Sequence, residues 1–100
     1  MINLAGIQGF QWDEGNERKS ADKHNVRQSE VEQAFFNEPL LLVEDDRHSQ
    51  TEARFNGLGH TDDNRFLHIT FTLRDQGRVI RVISARDMNR KERRRYEQDA

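Results

Sequence analysis

The sequence predicts an α+β fold in which two N-terminal helices and a C-terminal helix lie on a four-stranded antiparallel sheet, with a short N-terminal edge strand. Three observations predict it. Period-two alternation of apolar and polar residues fills 65–74 and 78–86, and the turn-forming Asp75-Gln76-Gly77 separates the two stretches. Helix-capping patterns precede the alternating region at Ser29-Glu30-Val31-Glu32 and follow it at Asn89 to Glu92. The 100 residues are 33% apolar and 34% charged, with a mean hydropathy of -1.06, enough for one thin core and no second. One domain over 1–100 is expected.

Phe10 and Trp12, two residues apart, place both rings on one face of a brief edge strand over 10–13. Asp13 and Asn16 can cap a polar helix through about His24, and Asn25 suits the left-handed conformation at its end. A second helix starts at the Ser29–Glu32 box, presents Val31, Ala34 and Phe35 as its apolar stripe, and ends at Pro39. Leu40 to Val43 read as a strand closed by Glu44, Asp45 and Asp46. Arg54–Gly59, Arg65–Arg74 and Arg78–Arg86 then form a meander, with Gly57 and Gly59 marking a bulge. Leu67, Ile69, Phe71 and Leu73 define the buried face, opposite Phe66, His68, Thr70, Thr72 and Arg74. On the last strand Val79 and Ile83 flank Arg81, an arginine among apolar residues that needs an anionic partner. Asn89 caps the final helix, Glu92 completes its box, and Tyr96 is its main apolar anchor.

Zero cysteines exclude disulfides, thiolate metal sites and a thiol nucleophile. No stretch has the roughly 18 apolar residues of a membrane span, and the N-terminus lacks a secretory pattern, so a cytoplasmic location is expected. The net charge of -2 conceals segregation: residues 1–77 hold eight Lys or Arg against fourteen Asp or Glu, whereas 78–97 hold eight against three. Arg90, Lys91, Arg93, Arg94 and Arg95 fall within six residues, a density that suits phosphate or an acidic protein, or simply a solvated helix. The preponderance of Arg favours planar bidentate contacts.

Two acidic clusters, Asp45, Asp46 with His48 and His60 with Asp62 and Asp63, match no metal-ligand spacing, and Gly57-Leu58-Gly59 lacks a nucleotide-loop pattern. No metal or other cofactor is expected. The remaining chemistry lies in Lys19, Lys23, His24, Arg54, Arg74, Arg81 and Arg86. Cutting RNA without a metal needs a group to take the 2′-hydroxyl proton, a group to protonate the leaving 5′-oxygen, and fixed cations around the phosphate. His24 is the natural proton carrier, since an unperturbed imidazole titrates near neutral pH.

Phe10-Gln11-Trp12-Asp13-Glu14-Gly15-Asn16, Lys19 and Lys23-His24-Asn25-Val26 resemble the N-terminal signature of BrnT toxins. Arg81-Val82-Ile83-Ser84-Ala85-Arg86, followed by Arg90-Lys91-Glu92-Arg93-Arg94-Arg95-Tyr96-Glu97, resembles the family's arginine-rich closing signature. Phe35-Phe36-Asn37-Glu38-Pro39, His48-Ser49 and Arg54-Phe55 lie between in the expected order. The resemblance implies a ribonuclease toxin of a type II toxin-antitoxin system with a RelE-like fold, an endoribonuclease that inhibits translation. It also implies a DNA-binding BrnA antitoxin that neutralises the toxin in a hetero-oligomer and brings the complex to its own operator. By matching position, Lys23, His24, Arg54, Arg81 and Arg86 become the catalytic set, and Tyr96 matches the aromatic of the closing helix; Lys19, Arg74, Arg90, Lys91, Arg94 and Tyr96 are expected to contact RNA. Two positions depart: Ser20 replaces an expected Asn, and His68 replaces an apolar residue, either as a second proton carrier or as a harmless change on the polar face. The competing reading from another class is a non-catalytic module that binds nucleic acid or antitoxin and acts as a co-repressor.

Overall fold

Strand β1 (Gly9–Gln11) is followed by helix α1 (Gln28–Phe36), strands β2 (Leu41–Asp45), β3 (Arg54–His60), β4 (Phe66–Arg74) and β5 (Val79–Asp87), and helix α2 (Arg90–Asp99). The computed structural model describes residues 6–12, 25–45 and 54–100. The helix expected over 16–24 lies outside the described residues, so one N-terminal helix is described rather than two.

All five strands form one sheet in the order β1-β5-β4-β3-β2. Neighbours from β2 to β5 are antiparallel, as expected of the meander, but β1 joins parallel to β5 with Phe10 opposite Ile80. The sheet is therefore five-stranded and mixed rather than four-stranded and antiparallel. A parallel neighbour needs a long connection, and here about two-thirds of the chain intervenes, a relation that local periodicity does not encode. Strand β2 includes Glu44 and Asp45, two of the acidic residues expected to close it.

Helix α1 begins earlier than the Ser29 box implies. Arg27 is its N-cap residue, and Glu30 rather than Glu32 reaches back to the cap N–H, at 3.0 Å. A tertiary partner decides between the two glutamates: Arg65 Nη1 lies 3.2 Å from Glu30 Oε2 and fixes that carboxylate at the helix start. Val31 and Ala34 are fully buried on the expected stripe. They join Leu67, Ile69, Phe71, Ile80, Val82 and Ala85 in the core on one sheet face, and Phe35 stands edge-on to Phe71 at 5.0 Å between ring centres.

Gly57 and Gly59 do not mark a bulge, because β3 keeps continuous register with β4 across both. Gly59 instead admits α1: a Cβ there would lie 2.9 Å from the Ala34 carbonyl oxygen. The bulge sits on β5. Thr70 pairs with Ser84 while Phe71 pairs with Val82, leaving Ile83 as the extra residue. It moves Ala85 onto the core face and changes which β5 side chains share the other face.

Helix α2 covers one end of that second face. Asn89 Oδ1 accepts from Glu92 N–H and Glu92 Oε1 accepts from Asn89 N–H, at 2.8 and 2.9 Å, the reciprocal box expected from the sequence. Tyr96, 5% exposed, is its anchor, standing edge-on to Phe66 at 5.8 Å. The Arg93 guanidinium lies 4.5 Å above the Phe66 ring. No helix among the described residues is long and apolar enough to cross a membrane.

Candidate functional site

The sheet face opposite the core gathers most of the described cations singled out from the sequence. Residues opposite one another across a ladder point the same way, and alternate residues on a strand share a face. Thr72 is opposite Arg81, Thr70 opposite Ser84, and His68 opposite Arg86. Asn56 is opposite Thr70 and Leu58 opposite His68. Arg54 lies one residue past the Phe55–Phe71 pair, level with Thr72. Arg54, Arg81 and Arg86 thus share one face with His68, around a polar middle row of Asn56, Thr70 and Ser84. Within that row the Thr70 hydroxyl donates to Asn56 Oδ1 at 3.0 Å.

This convergence depends on the bulge. Positions 81 and 86 are five apart, and in a regular strand an odd separation sends side chains to opposite faces. The extra residue at Ile83 restores the phase, so both arginines occupy the polar face. Alternation alone assigns them to different faces.

Arg86 is held at the α2 end. Its Nη1 and Nη2 donate to Glu92 Oε1 and Oε2 at 2.8 and 2.9 Å, a bidentate pair, and Nη1 also donates to the Asp87 carbonyl at 3.1 Å. The same carboxylate approaches His68, with Oε2 3.7 Å from Nε2. Burial pushes the Glu92 carboxyl up, but hydrogen bonds from Arg86 and the Asn89 N–H, together with the His68 charge, outweigh it and hold the group below the usual carboxylate range. The Glu92 hydrogen bond keeps the Arg86 guanidinium firmly protonated. Glu92 was legible in the sequence as a capping residue only. Its contact with Arg86 depends on how α2 folds back over β5, and no local pattern signals that.

The other expected residues fall in three groups. Arg74 is on the same sheet face at its far end, and Arg90, Lys91 and Arg94 are exposed on α2. Tyr96 is buried, with its hydroxyl donating to the Pro39 carbonyl at 2.5 Å, so its ring packs the helix onto the sheet and has no open face for a base. Lys19, Lys23 and His24 lie outside the described residues.

No group of three His, Asp or Glu side chains among the described residues is arranged to hold a metal ion. In the second acidic cluster, His60 Nδ1 is 2.8 Å from the Tyr96 hydroxyl and Asp62 Oδ1 accepts from Asn37 Nδ2 at 3.0 Å, which ties that loop to α1 and α2. Asp46 and His48 of the first cluster lie outside the described residues.

Comparison with known proteins agrees with this architecture. The family model for the ribonuclease toxin BrnT of type II toxin-antitoxin systems matches residues 12–92. No curated protein matches the chain. The 1.1 Å crystal structure of the Brucella abortus ribonuclease toxin BrnT is similar with a TM-score of 0.62 at 15% identity, over 84% of this chain and 100% of that one, a likeness of fold. With four-fifths of its length inside the family model, the chain belongs to the BrnT family of ribonuclease toxins of type II toxin-antitoxin systems.

Proposed function

We propose that this chain is a metal-independent endoribonuclease that inhibits translation by cutting RNA, with His24 as proton carrier and Lys23, Arg54, Arg81 and Arg86 around the scissile phosphate. The observation that carries the reading is the β5 bulge, since it brings Arg81 and Arg86 onto the face that also bears Arg54. A cluster of fixed cations stabilises the charge that builds on phosphate oxygens in the transition state. The 2′-hydroxyl, losing its proton to a base, attacks phosphorus; the bond to the 5′-oxygen breaks, and an acid protonates the leaving oxygen. The products are a 2′,3′-cyclic phosphate and a 5′-hydroxyl, and an imidazole near neutral pH can serve either proton transfer.

Arg74, Arg90, Lys91 and Arg94 extend the basic surface along which the RNA backbone runs, and Lys19 is a further RNA contact. Tyr96 contributes by holding α2 in place. The antitoxin partner is BrnA-like and DNA-binding, it forms a hetero-oligomer with the toxin, and DNA is reached through it alone. The setting is the cytoplasm, where the RNA substrate is, and the architecture is the RelE-like one.

The test is a time course on unstructured RNA in excess chelator with the parent chain and His24→Ala. Cleavage by the parent and not by the variant is the expected result, with a rate that changes across roughly pH 5.5 to 7.5 as an imidazole titrates. RNA that is bound but left intact by the parent, with binding lost when Arg90, Lys91 and Arg94 become alanine, overturns it in favour of a non-catalytic co-repressor.

A further inference from the structure

We propose that Glu92 is a positioning residue of this site, which turns Arg86 so that the free edge of its guanidinium forms a ready-made fork for an RNA phosphate. The inference rests on the reading of Arg86 as a phosphate contact and adds to it how the contact is built. A guanidinium carries five N–H groups in a rigid plane. Three are engaged here: one on Nη1 with the Asp87 carbonyl, and one each on Nη1 and Nη2 with the two Glu92 oxygens. The remaining two, on Nε and on the outer side of Nη2, have no acceptor among the described residues. They lie parallel along one edge, the geometry that takes two oxygens of a phosphate at once.

Glu92 is suited to hold that edge still. Its side chain is 20% exposed, its backbone is fixed by the Asn89 cap at the first turn of α2, and its Oε1 accepts from the Asn89 N–H as well as from Arg86. The carboxylate is therefore anchored by the helix it caps, and it transmits that anchorage to Arg86. Arg86 itself is 37% exposed along its side chain, so the guanidinium is fixed at one end and open to solvent over part of its surface. A phosphate need not displace Glu92 to bind, because the carboxylate uses the end of the guanidinium and leaves the side edge available.

The first experiment follows the Arg86 Nε–H resonance of the full chain by NMR while a 2′-O-methyl oligonucleotide, which has no free 2′-hydroxyl to react, is added. That resonance shifts on saturation in the parent chain; in Glu92→Gln the shift is lost and binding weakens roughly tenfold, the scale of one charge-assisted pair. An oligonucleotide that binds without moving the resonance, or that does not bind, overturns the proposal.

The second experiment is a kinetic cycle. Glu92→Gln lowers kcat/KM roughly tenfold, chiefly as a rise in KM, and adding it to Arg86→Ala lowers kcat/KM no further, since both changes remove one function. Losses that multiply overturn the proposal. Asn89→Ala, which loosens the cap but keeps the carboxylate and its backbone N–H partner, lowers kcat/KM by less than Glu92→Gln does; a defect equal to that of Glu92→Gln makes Glu92 a helix cap only and also overturns it. A parent chain that cuts no RNA defeats the ribonuclease reading, and the resonance experiment then decides the role of Glu92 alone.

Discussion

Tyr96 and Pro39, 57 residues apart, are joined by a hydrogen bond in which the tyrosine hydroxyl donates to the proline carbonyl at 2.5 Å. The hydroxyl has one proton, so His60 Nδ1, 2.8 Å from the same oxygen, is the donor in that second contact. The connection after α1 and the last residue of β3 therefore meet on one side chain of α2. That side chain also sets where Glu92, one turn earlier in the helix, meets Arg86 on the sheet.

Replacing Tyr96 by phenylalanine removes both hydrogen bonds and leaves the ring in place. The expected loss is about 1–3 kcal/mol, the scale for stripping a half-buried carbonyl and imidazole of their common partner. Tyr96→Ala also empties the contact with Phe66 and costs about 3–5 kcal/mol. Urea unfolding of the two variants checks the order; equal losses show that the ring contributes nothing beyond its hydroxyl.

Gly59 and Gly57 share a strand and differ in tolerance. A Cβ at 59 meets the Ala34 carbonyl oxygen at 2.9 Å and Leu40 Cδ1 at 3.1 Å, and the first of these is backbone that cannot step aside without moving α1. A Cβ at 57 meets only side-chain atoms, the nearest at 3.5 Å. Gly59→Ala is expected to cost about 1–3 kcal/mol as overpacking, and Gly57→Ala under about 1 kcal/mol. Thermal or urea midpoints of the pair decide it, and a similar drop in both refutes the close-approach account.

These cases show where sequence reading succeeds and where it stops. The alternation of β4, the stripe of α1 and the Asn89–Glu92 box are local patterns, each determined by residues within a few positions of one another, and all three are present in the fold. The parallel partner of β1 and the choice of Glu30 over Glu32 depend on residues dozens of positions away. The bulge at Ile83 is the instructive case for function. Val79 to Arg86 read as a regular strand, and period-two reasoning separates Arg81 from Arg86. Only the pairing with β4 reveals that they share a face.

Arg65 joins three parts of the chain, gripping Asp87 next to Arg86 in β5. Its Nε and Nη2 hold both oxygens of Asp87 at 2.7 and 3.0 Å, and its Nη1 donates to the Asn25 carbonyl at 2.8 Å and to Glu30. The Asp87 hydrogen bond drives its affinity for a proton well above the ordinary arginine value, against the opposing effect of burial. Lysine keeps the charge but cannot reproduce the fork. Since Asp87 is 61% exposed and solvent screens that half of the arrangement, Arg65→Lys is expected to cost roughly 1–2 kcal/mol. The loss should shrink only partly in high salt, because the Asn25 contact is not an ion pair; complete recovery in salt contradicts this.

Glu92 makes stability depend on pH with a definite sign. Its folded carboxyl lies below the ordinary value because hydrogen bonds from Arg86 and Asn89 outweigh the upward push of burial. As pH falls, the unfolded chain therefore takes up this proton before the folded chain does, and folding loses ground. The contribution is complete above the ordinary carboxylate value and disappears as pH drops through the folded one. Glu92→Gln has no such proton to bind and loses the charged partner of Arg86 at every pH. Urea midpoints should separate parent from variant by the widest margin between about pH 6 and 7 and converge below about pH 4, where carboxylates protonate. A margin that stays constant down to pH 3 means that the Glu92 ion pair does not stabilise the fold, and that α2 is held to the sheet by other contacts, such as those of Tyr96 and Arg93 with Phe66.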